Sequence, residues 1–181
     1  MWGNNLDFQG SQTYINLQTA LNNLLEESTL LSLYENQATE EILIPISFLF
    51  SKHDRHAKFI ANALYYILQG ETTTLENLQA ARARENQEAR EYREFSQIAI
   101  DEGFDDIASL FNGIANIFLN HIFAYEAAIE DIINDQLYCK PEESLWICLG
   151  CGNILSGLCA PEICPVCGVD GGFYDYLSTY E

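Results

Sequence analysis

Residues 148–152 read Cys-Leu-Gly-Cys-Gly, and residues 164–168 read Cys-Pro-Val-Cys-Gly. Each stretch separates two cysteines by two residues and ends in a glycine, which relieves strain where the chain reverses. Two such turns that face each other present four thiolates in the tetrahedral arrangement that suits zinc or iron. Two disulfides or four buried thiols are the competing interpretations, but a disulfide across so short a span is strained. The pattern therefore predicts a metal site for either metal.

The chain changes character near residues 134–143. Residues 12–135 show helical periodicity with almost no proline, whereas residues 139–181 contain three of the four prolines and all six cysteines. The second segment is too short for a full apolar core, so a metal must hold it together. We predict a mainly α protein with a helical domain over residues 1–138 and a small metal domain with short β-strands over residues 139–181.

The net charge and the cysteines indicate which classes of partner and which cell compartment to expect. The chain carries a formal net charge of −19 with eight Lys plus Arg, which argues against nucleic acid and anionic membrane surfaces because both repel it. Cys139 and Cys159 lack a partner pattern, so we expect two unpaired thiols, one in a linker and one in a loop. The beginning of the sequence does not resemble a signal peptide, and we expect a cytoplasmic protein. We expect no membrane-spanning segment, since the best candidate, residues 42–50, contains Pro45.

The helical segment divides into four helices at its breaks. We expect the first break at residues 35–37, the second at Gly70 and the third at Gly103. A Thr-Thr-Thr-Leu-Glu run at residues 72–76 supplies the N-cap signal of the third helix. The four predicted helices are residues 12–36, 41–69, 74–102 and 104–133.

Each helix carries a stripe of apolar residues at helical spacing, and three of the stripes include polar side chains. The second stripe contains His53 and His56, the third Glu85 and Glu88, and the fourth His121. A buried carboxylate costs several kcal/mol unless it is paired or bound to a cation. The stripes therefore predict a carboxylate and imidazole metal site inside a four-helix bundle, as in di-iron and di-manganese proteins. The alternative is a helical phase shifted by one residue, which would make these glutamates a solvated edge.

The sequence resembles the rubrerythrin family, in which a ferritin-like four-helix bundle precedes a rubredoxin-like iron domain. Residues 74–177 carry the resemblance well, and residues 12–70 carry it weakly. The stretches that carry it are Trp-Ile-Cys-Leu-Gly-Cys-Gly at 146–152, Ala-Pro-Glu-Ile-Cys-Pro-Val-Cys at 160–167, Glu-Asn-Leu at 76–78, Glu-Asn-Gln-Glu at 85–88, Glu-Phe at 94–95 and Glu-Gly-Phe at 102–104. The resemblance implies iron at Cys148, Cys151, Cys164 and Cys167.

The resemblance also implies ligands on the helices. Glu85 and Glu88 match the family's Glu-Asn-x-Glu pair, and His121 and His56 match the histidines of its two Glu-x-x-His motifs. The glutamates of those motifs are replaced, one by Phe118 and the other by His53.

On the first helix, one register places Leu24 at the ligand position. A second places Glu27 there with Tyr34 seven residues later, and we favour Glu27.

These replacements lower the negative charge of the implied site by two and remove a bridging carboxylate. The remaining ligands, with His53 as an added imidazole, suit one iron, manganese or zinc ion, or an unequal pair. Phe118 fits a partly filled or empty bundle core. Tyr92 or Tyr34 is expected to form a hydrogen bond near this site.

Three functions follow as expectations. The first is a rubrerythrin-like redox protein, a homodimer that receives electrons from a redox partner at the four-cysteine iron and reduces hydrogen peroxide at the helical metal. Glu85, Glu88, His56 and His121 are then its catalytic residues. The second is a degenerate relative that keeps only the rubredoxin-like iron and serves in electron transfer or as a scaffold. The third is a zinc-ribbon protein whose acidic bundle binds a basic partner.

Overall fold

The computed structural model describes residues 6–177, and its chain divides into two compact units, Met1–Thr72 and Thr73–Glu181. Four long helices precede a small antiparallel sheet, which confirms the predicted mainly α fold class. The boundary predicted at residue 138 stays a prediction. The helices are α1 (Leu6–Gln9), α2 (Gln12–Glu40), α3 (Ile44–Gln69), α4 (Thr74–Asp101) and α5 (Asp105–Ile133).

The first unit is built on an antiparallel pair, α2 and α3, called here the first hairpin. Its turn lies at Glu41–Leu43 and not at residues 35–37, so the break predicted there is wrong. Ile42 takes a φ of 60°, and the N–H of Leu43 donates to the carbonyl of Ala38 at 2.8 Å, which closes the end of α2. Pro45 then lies in the first turn of α3, where its missing N–H costs nothing.

Small and polar side chains form the contact between α2 and α3. The buried residues repeat every seven positions along α3, which is the spacing of a left-handed helix pair. They are Ser47, Asp54, Ala61 and Leu68, with Ala57 beside them and Ser28 and Ala38 on α2. The stripe predicted to point inward is on an adjacent face of α3: Ile46, Leu49 and Ile60 are exposed, as are both histidines. Contact with α2 therefore does not bury the predicted ligands.

The second unit contains the second hairpin, α4 and α5. Thr73 and Glu76 form the predicted capping box, in which the Thr73 N–H donates to Glu76 Oε2 at 2.7 Å and the Glu76 N–H donates to Thr73 Oγ1 at 3.2 Å. Gly103, with a φ of 84°, makes the turn between the two helices as predicted. Buried residues again follow a seven-residue repeat along α5: Ala108, Ala115, Ile122 and Ile129.

Helix α5, and not residues 42–50, is the segment that comes nearest to a membrane span. By length and composition alone, residues Asp105–Ile133 qualify, among the residues that the structure describes. A core helix of a soluble protein passes the same test, and α5 packs along α4 through its buried repeat. The helix also carries His121.

The metal domain is a three-stranded antiparallel sheet in the order β2-β1-β3. Its strands are β1 (Cys139–Cys148), β2 (Ile154–Cys159) and β3 (Tyr174–Tyr176). The buried cluster consists of Trp146, Cys148, Cys164 and Tyr174. Trp146 is wholly buried, and its indole N–H donates to the carbonyl of Gly157 at 3.1 Å. Phe173 and Tyr176 are exposed and do not belong to this cluster.

Cys139 and Cys159 form a disulfide, so the prediction of two unpaired thiols is wrong. The two residues are directly opposite each other on β1 and β2, with their Cα atoms 3.9 Å apart. Twenty positions separate them in sequence, and only the pairing of the two strands brings them together. The bond ties the first residue of β1 to the last residue of β2.

Candidate metal centres

The four cysteines of the two Cys-x-x-Cys turns meet at one point. Their Sγ atoms all lie within 4.8 Å of one another, with 3.8 Å between Cys148 and Cys167 and 3.7 Å between Cys151 and Cys164. Two thiolates bound at about 2.3 Å to one tetrahedral ion lie about 3.8 Å apart. These two separations therefore fit a single tetrahedral ion.

Each turn is closed by its glycine. The N–H of Gly152 donates to the carbonyl of Cys148 at 2.7 Å, and the N–H of Gly168 donates to the carbonyl of Cys164 at 2.9 Å. Both glycines have a φ near 75°, a backbone conformation that other residues rarely adopt. The first cysteine of each pair is buried and the second is exposed, so the site lies at the surface of the domain.

The pKa values of the thiols show what the cluster needs. The pKa of the Cys164 thiol is lowered to about 6. The main cause is the Tyr174 hydroxyl, which lies beside Cys164 without a hydrogen bond of standard geometry; the backbone N–H groups of Cys167 and Val166 add to the effect, and desolvation opposes it. The backbone N–H of Asn153 lowers the pKa of Cys151, but desolvation and the three neighbouring thiols outweigh it and raise that pKa to about 12. The Cys164 thiol therefore ionises readily and the Cys151 thiol does not, so a bound cation is required to ionise Cys151.

The second hairpin holds three of the helical ligand candidates. His121 Nδ1 lies 3.1 Å from Glu85 Oε2, and the hydroxyl of Tyr125 donates to Glu85 Oε1 at 3.1 Å. The Glu85 side chain is only 16% exposed. Hydrogen bonding to Glu85 raises the pKa of Tyr125 because it stabilises the protonated phenol. Two groups from α5 thus hold one carboxylate of α4 in a fixed position.

Glu88 is one turn further along α4 and pairs with an arginine of the same helix. The Arg84 Nε donates to Glu88 Oε1 at 2.8 Å, and the carboxylate raises the pKa of Arg84. Glu88 side-chain exposure is 26%, so this is a half-exposed ion pair that a metal ion could replace at low cost.

An aromatic cluster occupies the position where the family motif has a glutamate. The ring centroid of Phe118 is 5.5 Å from that of Tyr92 and 6.4 Å from that of His121. Tyr92 also contacts Phe95 and Phe111. Phe118 thus belongs to a continuous apolar contact between α4 and α5, and Tyr125 forms the hydrogen bond expected of Tyr92 or Tyr34.

The first hairpin holds the other candidates. His53 and His56 are one turn apart on α3, with ring centroids 6.1 Å apart, and both are exposed. Glu27 is exposed on α2, whereas Leu24 is half-buried. Taken by itself, neither hairpin brings three carboxylate or imidazole ligands together among its described residues. The helical ligand set stays a prediction.

Sequence reasoning missed a buried polar contact beside these candidates. The Ser28 hydroxyl donates to Asp54 Oδ1 at 2.6 Å, and the Lys58 ammonium donates to Asp54 Oδ2 at 2.8 Å. Lys58, and then Ser28, lowers the pKa of Asp54. The spacing of Asp54 and Lys58 at i and i+4 was the available signal. Glu27 immediately precedes Ser28, and His53 immediately precedes Asp54. The hydrogen bond between Ser28 and Asp54 therefore fixes the rotation of α2 and α3 next to these two candidates.

The four long helices and the four-thiolate domain define a helical protein with a tetrahedral metal site, and similarity to known proteins identifies its family. The chain is 31% identical to rubrerythrin-1 of Clostridium acetobutylicum over 188 residues, covering 94% of this chain and 96% of that protein. It is 33% identical to rubrerythrin of Porphyromonas gingivalis over 108 residues, covering 59% of this chain and 54% of that protein. No family model matches the chain. The chain belongs to the rubrerythrin family, whose members are non-haem iron redox proteins.

Among solved structures, the chain is similar to partially reduced nigerythrin, with 19% identity and a TM-score of 0.35, over 92% of this chain and 87% of that one.

Proposed function

We propose that this protein relays electrons from the four-cysteine iron to a second metal site on its helices and reduces hydrogen peroxide there. The observation that carries the proposal is the four-thiolate cluster, whose Sγ separations of 3.7 and 3.8 Å match one tetrahedral ion. Bound iron would supply one-electron redox chemistry at both sites. The protein's own side chains would hold the two metals, conduct electrons between partner and site, and supply protons.

The four-cysteine site is suited to transfer electrons and not to bind substrate. Its four thiolates fill every position of a tetrahedral ion, so no position remains for peroxide. Backbone N–H groups at the turns and the Tyr174 hydroxyl stabilise the negative charge on sulfur, and such interactions set a reduction potential. Two of the cysteines are exposed, which gives a redox partner protein a short path to the site.

Peroxide reduction is assigned to Glu85, Glu88, His56 and His121. The reaction consumes hydrogen peroxide, two electrons and two protons and releases two water molecules, so it needs a source of both electrons and protons. Glu85 is held by His121 and Tyr125, and this network has exchangeable protons next to the proposed ligands. His53 and Glu27 complete the proposed set, which suits iron, manganese or zinc.

A second candidate function rests on Phe118. Phe118 stands where the family motif has a glutamate, and it packs against Tyr92. Glu88 is paired with Arg84. A protein with these features would keep the four-cysteine iron for electron transfer, or as a metal-binding scaffold, without peroxidase activity.

A single-turnover experiment distinguishes the two. The protein is reduced without oxygen, so the colour of the four-cysteine iron bleaches, and is then mixed with hydrogen peroxide. The proposal predicts rapid return of the colour in the wild-type protein and slow return in a variant with Glu85→Ala and His56→Ala together. Glu94→Ala, an exposed glutamate on the same helix α4, serves as the matched control and should behave as wild type. Equal rates in all three proteins would refute catalysis at the helical site.

The partners proposed with this function are a redox protein as electron donor and a second copy of the chain, in a cytoplasmic setting. A homodimer brings the four-cysteine site of one copy near the helical site of the other. Analytical ultracentrifugation tests the dimer, and a monomer at micromolar concentration would contradict it.

A further inference from the structure

The connection between the two hairpins is short. It consists of residues 70–73, because α3 ends at Gln69 and α4 begins at Thr74. Gly70 caps α3 and Thr73 caps α4, so both ends of the connection are fixed by helix caps. The five Cα-to-Cα steps from Gln69 to Thr74 reach about 18 Å at full extension.

A ferritin-like bundle requires a much longer connection. Such bundles contain one long crossover, which returns the chain along the length of the helices. In this chain the turns inside the hairpins, residues 41–43 and 102–104, are short, so the crossover would have to be residues 70–73. α3 has 26 residues and is therefore about 39 Å long. A reach of about 18 Å cannot return the chain along it.

Both hairpins carry exposed apolar side chains around the proposed ligands. On α3, His53 and His56 are flanked by Ile46, Leu49 and Ile60, which are 43%, 44% and 51% exposed. On α5, Leu110 and Ile117, which are 57% and 51% exposed, precede His121. Exposed apolar surface of this extent is typical of an interaction site.

We infer that the first hairpin of one copy packs against the second hairpin of another copy, and that the helical metal site is completed across this dimer. Each of the two equivalent sites then takes Glu27, His53 and His56 from one copy and Glu85, Glu88 and His121 from its partner. Exchange of an identical element closes the assembly at two copies and meets the ferritin-like arrangement without a crossover. The inference rests on the proposed ligand set, and it goes further by assigning each half of that set to a different subunit.

Complementation between two defective variants tests the shared site. One variant carries His53→Ala with His56→Ala, the other carries Glu85→Ala, and differently tagged copies are co-expressed and purified as a heterodimer. If ligands come from both copies, the heterodimer contains one intact site and one doubly defective site. Its helical metal content and its peroxide consumption should be about half of the wild-type values, while each variant homodimer has little of either. A heterodimer no better than the homodimers would overturn the inference.

A longer connection tests the same exchange without any metal. Insertion of about 20 Gly and Ser residues after Gly70 allows the two hairpins of one chain to reach each other, at an effective concentration in the millimolar range. We expect the wild-type protein to be a dimer and this variant to become a monomer at micromolar concentration. The same insertion after Gln136, between α5 and β1, is the matched control and should leave the dimer intact.

The two experiments separate this inference from the proposed function. A wild-type monomer, or a dimer that survives the insertion after Gly70, would overturn the exchange of hairpins whatever metal is bound. A wild-type dimer that becomes a monomer on insertion, but binds no metal on its helices, would support the exchange and contradict the proposed peroxidase site.

Discussion

Substitution of Gly171 by alanine gives a sharp test of how the four-cysteine site is held. Gly171 begins a short 3-10 turn, and its N–H donates to the carbonyl of Glu162 at 2.7 Å. A Cβ atom at this position would lie 2.6 Å from the carbonyl oxygen of Pro161 and 3.3 Å from two backbone atoms of Glu162. Backbone cannot rotate out of the way as a side chain can, so the chain leading to Cys164 must move.

The size of the effect follows from that distance. Ordinary contact with a Cβ atom begins at 3.4 Å, so the Pro161 carbonyl, three residues before Cys164, must be displaced by about 0.8 Å. Overpacking of this kind costs about 1–3 kcal/mol. Since 1.4 kcal/mol corresponds to tenfold in an equilibrium constant, the population of opened metal sites should rise about 5- to 150-fold. Metal release to an excess of chelator, followed by the loss of visible absorbance, should accelerate accordingly.

Gly172→Ala is the matched control. A Cβ atom there would lie 3.3 Å from Asp170 Oδ1, which is a side-chain atom that can adjust. Both substitutions reduce the entropy of the unfolded chain to the same extent, so the difference between them isolates the clash. Release rates that are equal in the two variants would refute the argument that backbone contact at Gly171 positions the Cys164 turn.

Three further predictions concern the disulfide, the aromatic cluster and the second hairpin. Replacement of Cys139 and Cys159 by serine should lower the unfolding free energy of the metal domain by about 3 kcal/mol, since the disulfide closes a loop with a sequence separation of 20. The metal content should stay unchanged, and loss of the metal would contradict the assignment of these two cysteines to a disulfide alone. Phe118→Glu should raise the helical metal content by restoring a carboxylate, measured by elemental analysis against Phe118→Leu, and equal contents in both variants would count against the proposed ligand set. Ile122→Ala, at a side chain only 9% exposed, should cost about 2–5 kcal/mol in chemical denaturation, whereas Ile133→Ala, at a side chain 60% exposed, should change stability by less than about 0.5 kcal/mol.

Local patterns predicted much of this molecule. The Cys-x-x-Cys turns work because the chemistry is contained in five residues, and their glycines adopt the positive φ that such a turn requires. The helix boundary at Thr73 was predictable for the same reason, since a capping box is formed by residues three apart. The resemblance of residues 74–177 to a known family extended these local signals to the fold class.

Features that depend on pairing between distant segments were harder to predict. Cys139 and Cys159 meet because β1 and β2 pair in one particular register, and that register is invisible in the spacing of the cysteines. The face of α3 that meets α2 was misjudged because apolar periodicity identifies a stripe but not its partner. The contact face is instead the one with small residues and Asp54, whose charge is compensated by Ser28 and Lys58.

The helical ligand set illustrates the same limit. Glu85 and His121 meet on the second hairpin as their stripes suggested. Tyr125, one turn beyond His121 on the same face, forms the hydrogen bond that was expected of Tyr92 or Tyr34. The first hairpin carries Glu27, His53 and His56. Sequence spacing does not indicate whether these residues would join the metal site of their own copy or of another copy of the chain.

Metal analysis of the purified protein tests the central claim most directly. Protein prepared from iron-supplied cells should be red, should bleach on reduction, and should contain more iron than its four thiolates can bind, up to about three ions per chain. Glu85→Ala should lose the additional metal and keep the iron of the four-cysteine site. A colourless protein with a single zinc ion per chain would contradict the assignment of this protein as an iron redox protein.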